Sequence, residues 1–132
     1  MSDPYDLPYP EQELPSGEVT LGLVPVASRA LVAGLTARLR DDFPGIRLRV
    51  LEGYSGQVEE WLADGRIDIA ILYRYASSLP SHEVALATVD SYLIGCPGDR
   101  MTQGAEVPFA KLDKLPFILP SAPNGLRTSL DV

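Results

Sequence analysis

The sequence predicts an α/β fold on a parallel sheet, and three observations lead to that class. Apolar residues recur at helical spacing in one stretch, alternate with polar residues in another, and form a nearly unbroken run from Ile67 to Tyr73. Proline and glycine stand where the period changes. The resulting order is βαβαβ, the pattern of parallel strands joined by crossover helices.

Val19 to Val24 reads as the first strand, alternating around Gly22 and stopped by Pro25. A helix is expected from Ser28 to Phe43, where Leu31, Leu35, Leu39 and Phe43 form one stripe beside Val32, and Pro44 and Gly45 end it. Ile46 to Leu51 alternates with Arg47 and Arg49, as an edge strand with one wet face would. Gly53-Tyr54-Ser55-Gly56 is a turn in which Ser55 is the expected N-cap of a helix running to Asp64. That helix should turn Val58, Trp61 and Leu62 inward and close at Gly65. Ile67 to Tyr73, interrupted by Asp68 alone, reads as a central strand covered on both faces. After a polar connection, Tyr92 to Ile94 and Phe117 to Leu119 read as two more strands, and a last helix should start near Leu126.

The chain has 132 residues, enough for one small domain. Its net charge of -7 opposes unassisted binding to a phosphate backbone, so no direct DNA binding by this chain is expected. Four of the acids, Asp3, Asp6, Glu11 and Glu13, lie in residues 1–17 among Pro4, Pro8, Pro10 and Pro15, a composition that reads as a disordered or extended arm. Cys96 is the single cysteine, and the N-terminus has no basic n-region followed by an apolar run; together these point to the cytoplasm. No apolar segment approaches the ~18 residues needed to span a bilayer, so no membrane partner is expected.

In a parallel sheet the carboxyl ends of all strands share one edge, so the turns at Pro25-Val26-Ala27-Ser28 and Gly53-Tyr54-Ser55 should lie side by side. Two helix N-termini would converge there, offering N–H groups and positive dipole ends to a small anion. Ser28 and Ser55 can cap the helices, donate to the ligand, or do both, and Tyr54 is placed to present its ring and hydroxyl.

Other chemistries find less support. The turn at Ser55 departs from a G-x-S-x-G nucleophile elbow because Gln57 stands where glycine is required. His82, the candidate base for a hydrolase using Ser55, sits in a polar loop. One histidine and one cysteine lack a second pair at ligand spacing, so no metal is expected, and Cys96 reads as a small apolar side chain. Neither G-x-G-x-x-G nor G-x-x-x-x-G-K occurs, and no cofactor is expected. Glu59 and Glu60 point in different directions on their helix and read as surface. Asp68 reads as structural, accepting hydrogen bonds from turn N–H groups.

Several segments succeed one another at a recognisable spacing: Gly17-Glu18-Val19-Thr20-Leu21-Gly22-Leu23, Phe43-Pro44-Gly45-Ile46-Arg47-Leu48 and Leu51-Glu52-Gly53-Tyr54-Ser55-Gly56. They are followed by Leu62 to Tyr73, in which Ala63-Asp64-Gly65-Arg66-Ile67-Asp68 is prominent, and by Leu119-Pro120-Ser121-Ala122-Pro123-Asn124-Gly125-Leu126-Arg127. From Ser16 to Val132 the sequence resembles the effector-binding domain of LysR-type transcriptional regulators, nearest the nitrogen-assimilation branch. The resemblance implies the first lobe of a two-lobed fold similar to type 2 periplasmic binding proteins, over about 18–89, with the start of the second lobe over about 90–132. It implies a non-enzyme that holds a small effector between lobes and self-associates through lobe-lobe contacts. The winged helix-turn-helix of the family has no counterpart, and most of the second lobe is missing, so a truncated domain is expected. Carried over by position, the effector site takes in Pro25, Val26, Ala27, Ser28, Gly53, Tyr54, Ser55, Pro120, Ser121, Asn124, Gly125 and Leu126. Two positions depart from the family: Val26 stands where Ser or Thr is common, and Asn124 replaces a frequent His, which removes an imidazole that could gain charge near neutral pH. An incomplete two-lobed domain should also expose Phe117, Ile118 and Leu126 and favour self-association. The alternative of the same general fold is a solute-binding protein serving a transporter, which would carry a secretion signal.

Overall fold

The computed structural model describes residues 13–75, 78–122 and 124–131. Three strands form a parallel sheet in the order β2-β1-β3: β1 is Gly17–Leu23, β2 is Ile46–Glu52 and β3 is Ile69–Ile71. Two helices make the crossovers, α1 at Pro25–Asp42 and α2 at Ser55–Ala63. Most of the acidic arm, residues 1–12, lies outside the described residues.

The register aligns Leu21 with Val50 and Leu23 with Glu52 on one side, and Leu21 with Ile69 and Leu23 with Ile71 on the other. Ile46, Leu48 and Val50 line a groove with Thr36 and Leu39 of α1. Side chains alternate along a strand, so Leu21 and Leu23 share that face and Gly22 points to the opposite one. There it meets Val58 of α2 and Ile67. The two helices therefore cover opposite faces, as right-handed crossovers running in opposite directions across a sheet require.

The strand read as central is an edge strand. Among the described residues β3 pairs with β1 alone, and β1 takes the middle, with Thr20 to Val24 continuously buried. The reason is crossover direction: the chain steps from β1 to one side, then returns past β1 to the other. Ile67 is buried under α2 beside Gly22, whereas Ile69 and Ile71 lie on the other face with Leu21 and Leu23, so the apolar run serves the two faces of an edge strand rather than flanking strands. β2 sits at an edge, as its alternation predicted.

Gly22 is required by this packing. A Cβ there would collide with the Ile67 side chain and stand 3.4 Å from Val58 Cγ1. Gly65 ends α2 in the left-handed region at φ 73°, with Arg66 N–H donating to Trp61 O at 2.8 Å and Gly65 N–H to Leu62 O at 3.2 Å. This is the paired-bond helix stop that glycine favours. Within α2, Val58 is fully buried and Trp61 half-buried over Gly53, so the inward stripe runs through Val58 and Trp61, whereas Leu62 is 43% exposed rather than inward.

Helix α1 starts three residues earlier than Ser28, because Pro25 is well suited to the first helical position. It ends at Asp42, and its leucine stripe is only half covered, with no buried residue in 18. Helix α3, Gly125–Leu130, begins one residue before Leu126, which is half-buried rather than exposed.

The described residues group into two compact units: those up to Tyr75 together with those from Pro120, and residues 78–119. In the second unit no strand forms at Tyr92–Ile94 or Phe117–Leu119; it holds short 3₁₀ turns at Arg100–Thr102 and Phe109–Lys114. A strand needs a ladder partner, and both segments are left with exposed side chains, Tyr92, Ile94 and Ile118 among them. His82 lies in an exposed turn, and Cys96 is exposed rather than packed as an apolar residue.

Candidate functional site

The carboxyl edge of the sheet is fastened on both sides of β1. Gly53 N–H donates to Leu23 O at 3.1 Å and Val24 N–H donates to Ile71 O at 3.2 Å, carrying each ladder one step past the strand ends. These bonds bring the turn after β1 and the turn after β2 together, as parallel strands dictate.

Neither serine is the N-cap. Val24 holds that place for α1 and Tyr54 for α2, both extended and both without a side-chain cap. Ser28 is the fourth helical residue, and its N–H is spent on Val24 O at 3.0 Å. Ser55 is the first residue of α2 and is buried. The sequence suggested capping by hydroxyl; the proline-led start of α1 moved Ser28 inward, and the extended Tyr54 took the cap of α2. The first-turn N–H groups with no intrahelical acceptor are those of Val26 and Ala27 in α1, since Pro25 has none, and of Ser55, Gly56 and Gln57 in α2. No acidic residue stands in either first turn to neutralise the dipole. Tyr54 is 64% exposed beside these donors, and the Gln57 side chain folds over Gly53.

The third segment is arranged differently. Asn124 caps α3, its Oδ1 accepting from Leu126 N–H at 2.9 Å, while Asn124 N–H donates to Ser121 O at 3.2 Å. The Asn124 side-chain oxygen, its backbone N–H and the Leu126 N–H are thereby engaged, and Ser121 remains exposed. Among the described residues, no hydrogen bond joins Pro120, Ser121, Asn124, Gly125 or Leu126 to either turn. The segment reaches the sheet edge through Tyr75, whose ring lies against Gly125.

Tyr73 and Tyr75, which follow β3, were not singled out from the sequence. Their rings stand 6.1 Å apart at 48°, and the Tyr75 hydroxyl is pushed above the ordinary tyrosine range, first by burial and then by Tyr73. The signal that could have found them is two aromatics straddling Arg74 at the end of an apolar strand. Among the described residues, no group of three or more His, Cys, Asp or Glu could hold a metal ion. No helix there is long and apolar enough to cross a membrane.

Residues 12–132 match the family described as "LysR substrate binding domain". Among curated relatives, the chain is 33% identical over 67 residues to the uncharacterized HTH-type transcriptional regulator YoaU of Bacillus subtilis, covering 51% of this chain and 23% of that protein. It is 26% identical over 120 residues to the nitrogen assimilation regulatory protein nac of Escherichia coli, covering 88% of this chain and 37% of the relative. The chain thus spans well under half the length of these relatives. Among solved structures, HinK, a LysR family transcriptional regulator from Pseudomonas aeruginosa, aligns over 51% of this chain and 23% of its own at 25% identity and a TM-score of 0.45. The PA01 protein of the same organism, described as a "putative LysR family transcriptional regulator", aligns over 50% of this chain and 23% of its own at 29% identity and a TM-score of 0.44.

Proposed function

The chain belongs to the LysR substrate-binding-domain family, and we propose that it senses a small anionic effector for a LysR-type transcriptional regulator. The observation that carries this reading is the pair of uncapped helix starts, α1 and α2, fastened together by the Gly53 N–H to Leu23 O bond. Val26, Ala27, Ser55 and Gly56 supply backbone donors, Pro25 and Ser28 shape the first turn, and Gly53 and Tyr54 shape the second. Pro120, Ser121, Asn124, Gly125 and Leu126 form the third wall. Each helix end contributes about 0.3–1 kcal/mol toward a nearby anion, so two ends support weak but selective capture.

The reading extends to the whole assembly. The effector closes two lobes on each other, the first over about 18–89 and the second starting at about 90–132, and closure alters an oligomer made by lobe-lobe contacts. The chain acts in the cytoplasm without an enzymatic step, a cofactor or direct DNA binding of its own. Its nearest functional branch is the nitrogen-assimilation one, in line with the match to nac.

The test is an amide-resolved NMR titration of the isotopically labelled chain with acetate, succinate, citrate and inorganic phosphate, with glycerol as the neutral control. Saturable shifts at Val26, Ala27, Ser55 and Gly56 that weaken with added salt are expected. Shifts that never saturate, or that scatter over the surface, overturn the reading.

A further inference from the structure

The three segments assigned to the effector site are held by different means, and the ring of Tyr75 lies against the third. The first two are joined by main-chain bonding, whereas residues 120–126 make no hydrogen bond to them among the described residues. A Cβ placed on Gly125 would lie 3.4 Å from Cδ2 and 3.5 Å from Cε2 of Tyr75, so the ring packs directly on the first residue of α3 with no side chain between.

Tyr75 is itself held from neighbouring residues. Its ring is tilted against that of Tyr73, and the adjacent Arg74 pairs with Glu59 of α2, Nη1 to Oε1 at 2.7 Å, with both side chains more than half covered. A chain of contacts therefore runs from α2 through Glu59, Arg74 and Tyr75 to Gly125. Its two ends are the helix that the second segment of the site opens and the third segment itself.

We infer that Tyr75 is a positioning residue, seating the Asn124–Leu126 turn at the carboxyl end of β3 while the Glu59–Arg74 ion pair fixes the seat relative to α2. The packing part stands on geometry alone; its consequence for effector binding rests on the functional reading above.

The experiment compares the wild-type chain with Tyr75→Phe, Tyr75→Ala and Glu59→Gln by NMR, without ligand and during titration with succinate. Without ligand, the Gly125 α protons should show ring-current shifts in the wild type and Tyr75→Phe and lose them in Tyr75→Ala, with backbone order falling at Gly125 to Leu130. Unchanged order there in Tyr75→Ala overturns the inference. With succinate, Gly125 and Leu126 should follow the same curve as Val26 and Gly56 in the wild type. In Tyr75→Ala the first pair stops responding and the second responds with affinity roughly fivefold weaker; Tyr75→Phe restores both, and Glu59→Gln falls between. Should Tyr75→Ala fail to fold, Tyr75→Leu supplies the order measurement. If succinate moves no amide in any variant, the effector reading fails, while the ligand-free comparison still decides the role of Tyr75.

Discussion

Thr20 and Asp68 exchange a pair of hydrogen bonds across β1 and β3. Thr20 N–H donates to Asp68 Oδ2 at 2.8 Å, and Asp68 N–H donates to Thr20 O at 2.8 Å. The ladder between these strands begins one residue later, at Leu21 and Ile69, so the carboxylate takes the place of a main-chain acceptor where β3 has not yet started. Thr20 is buried, and its N–H has no water to turn to. Asp68→Ala should lower stability by about 1–3 kcal/mol in urea denaturation, the cost of an unpaired buried donor, while Asp68→Asn should recover most of it through its carbonyl oxygen.

The close approach at Gly22 gives a second prediction. Gly22→Ala should destabilise by about 1–3 kcal/mol, because the added methyl collides with Ile67. Ile67→Val removes the Cδ1 atom in the way, so the double variant should be more stable than the sum of the single losses allows. Strict additivity in the denaturation data would show that the two positions do not meet.

Tyr75 predicts an alkaline loss of stability. Its hydroxyl titrates above the unfolded value of 10.0, because burial and Tyr73 disfavour the phenolate. The neutral form is thus preferred in the folded state. Its contribution is complete below pH 10.0 and disappears as pH rises through the folded value. Thermal unfolding followed from neutral pH upward should show a decline beginning near the unfolded value, and Tyr75→Phe should flatten it. An identical decline in both proteins would assign the effect to other groups.

Gly65→Ala tests the helix stop. At φ 73° a Cβ is strained although nothing within 4 Å obstructs it, so the loss should be about 1 kcal/mol. Gly65→Asn should lose less, since asparagine tolerates this conformation better. Denaturant midpoints distinguish the two.

Exposed apolar side chains in the 78–119 unit give a fifth prediction. Ile118 is 103% exposed, and Tyr92 and Ile94 are nearly as open. The sedimentation coefficient should rise with concentration, and Ile94→Asp with Ile118→Asp should suppress the rise. A sharp monomer across the concentration range would contradict this.

Strand and helix identity in residues 17–71 followed from periodicity, since alternation at Ile46 to Leu51 and the leucine stripe of α1 each fit one secondary structure. Strand order did not follow: Ile67 is apolar because it packs under α2, Ile69 and Ile71 lie on the other face with Leu21 and Leu23, and apolarity alone does not tell a helix-covered edge strand from a central one. The two turns of the candidate site were legible because parallel strands force their ends together. The roles within them were not, since Pro25 and Tyr54 displaced Ser28 and Ser55 from the caps. Tyr75 was hidden because its partner Gly125 is 50 positions away and carries no side chain to betray the contact. At Tyr92 and Phe117 local pattern suggested strands, but a ladder is a property of pairs, and among the described residues no partner strand adjoins them.

The unequal helices on the two faces of the sheet also set an order of unravelling. Helix α2 sinks Ser55, Gly56 and Val58 into the interior, whereas α1 lies on its face with no fully buried residue along 18. Opening α1 therefore exposes less new surface per residue than opening α2. Amide protons along α1 should exchange with deuterium well before those of β1 and α2, and between the two helices a protease should cut α1 before α2. The face that fixes the shape of the sheet and the face that can be shed from it are then two different sides of the same three strands.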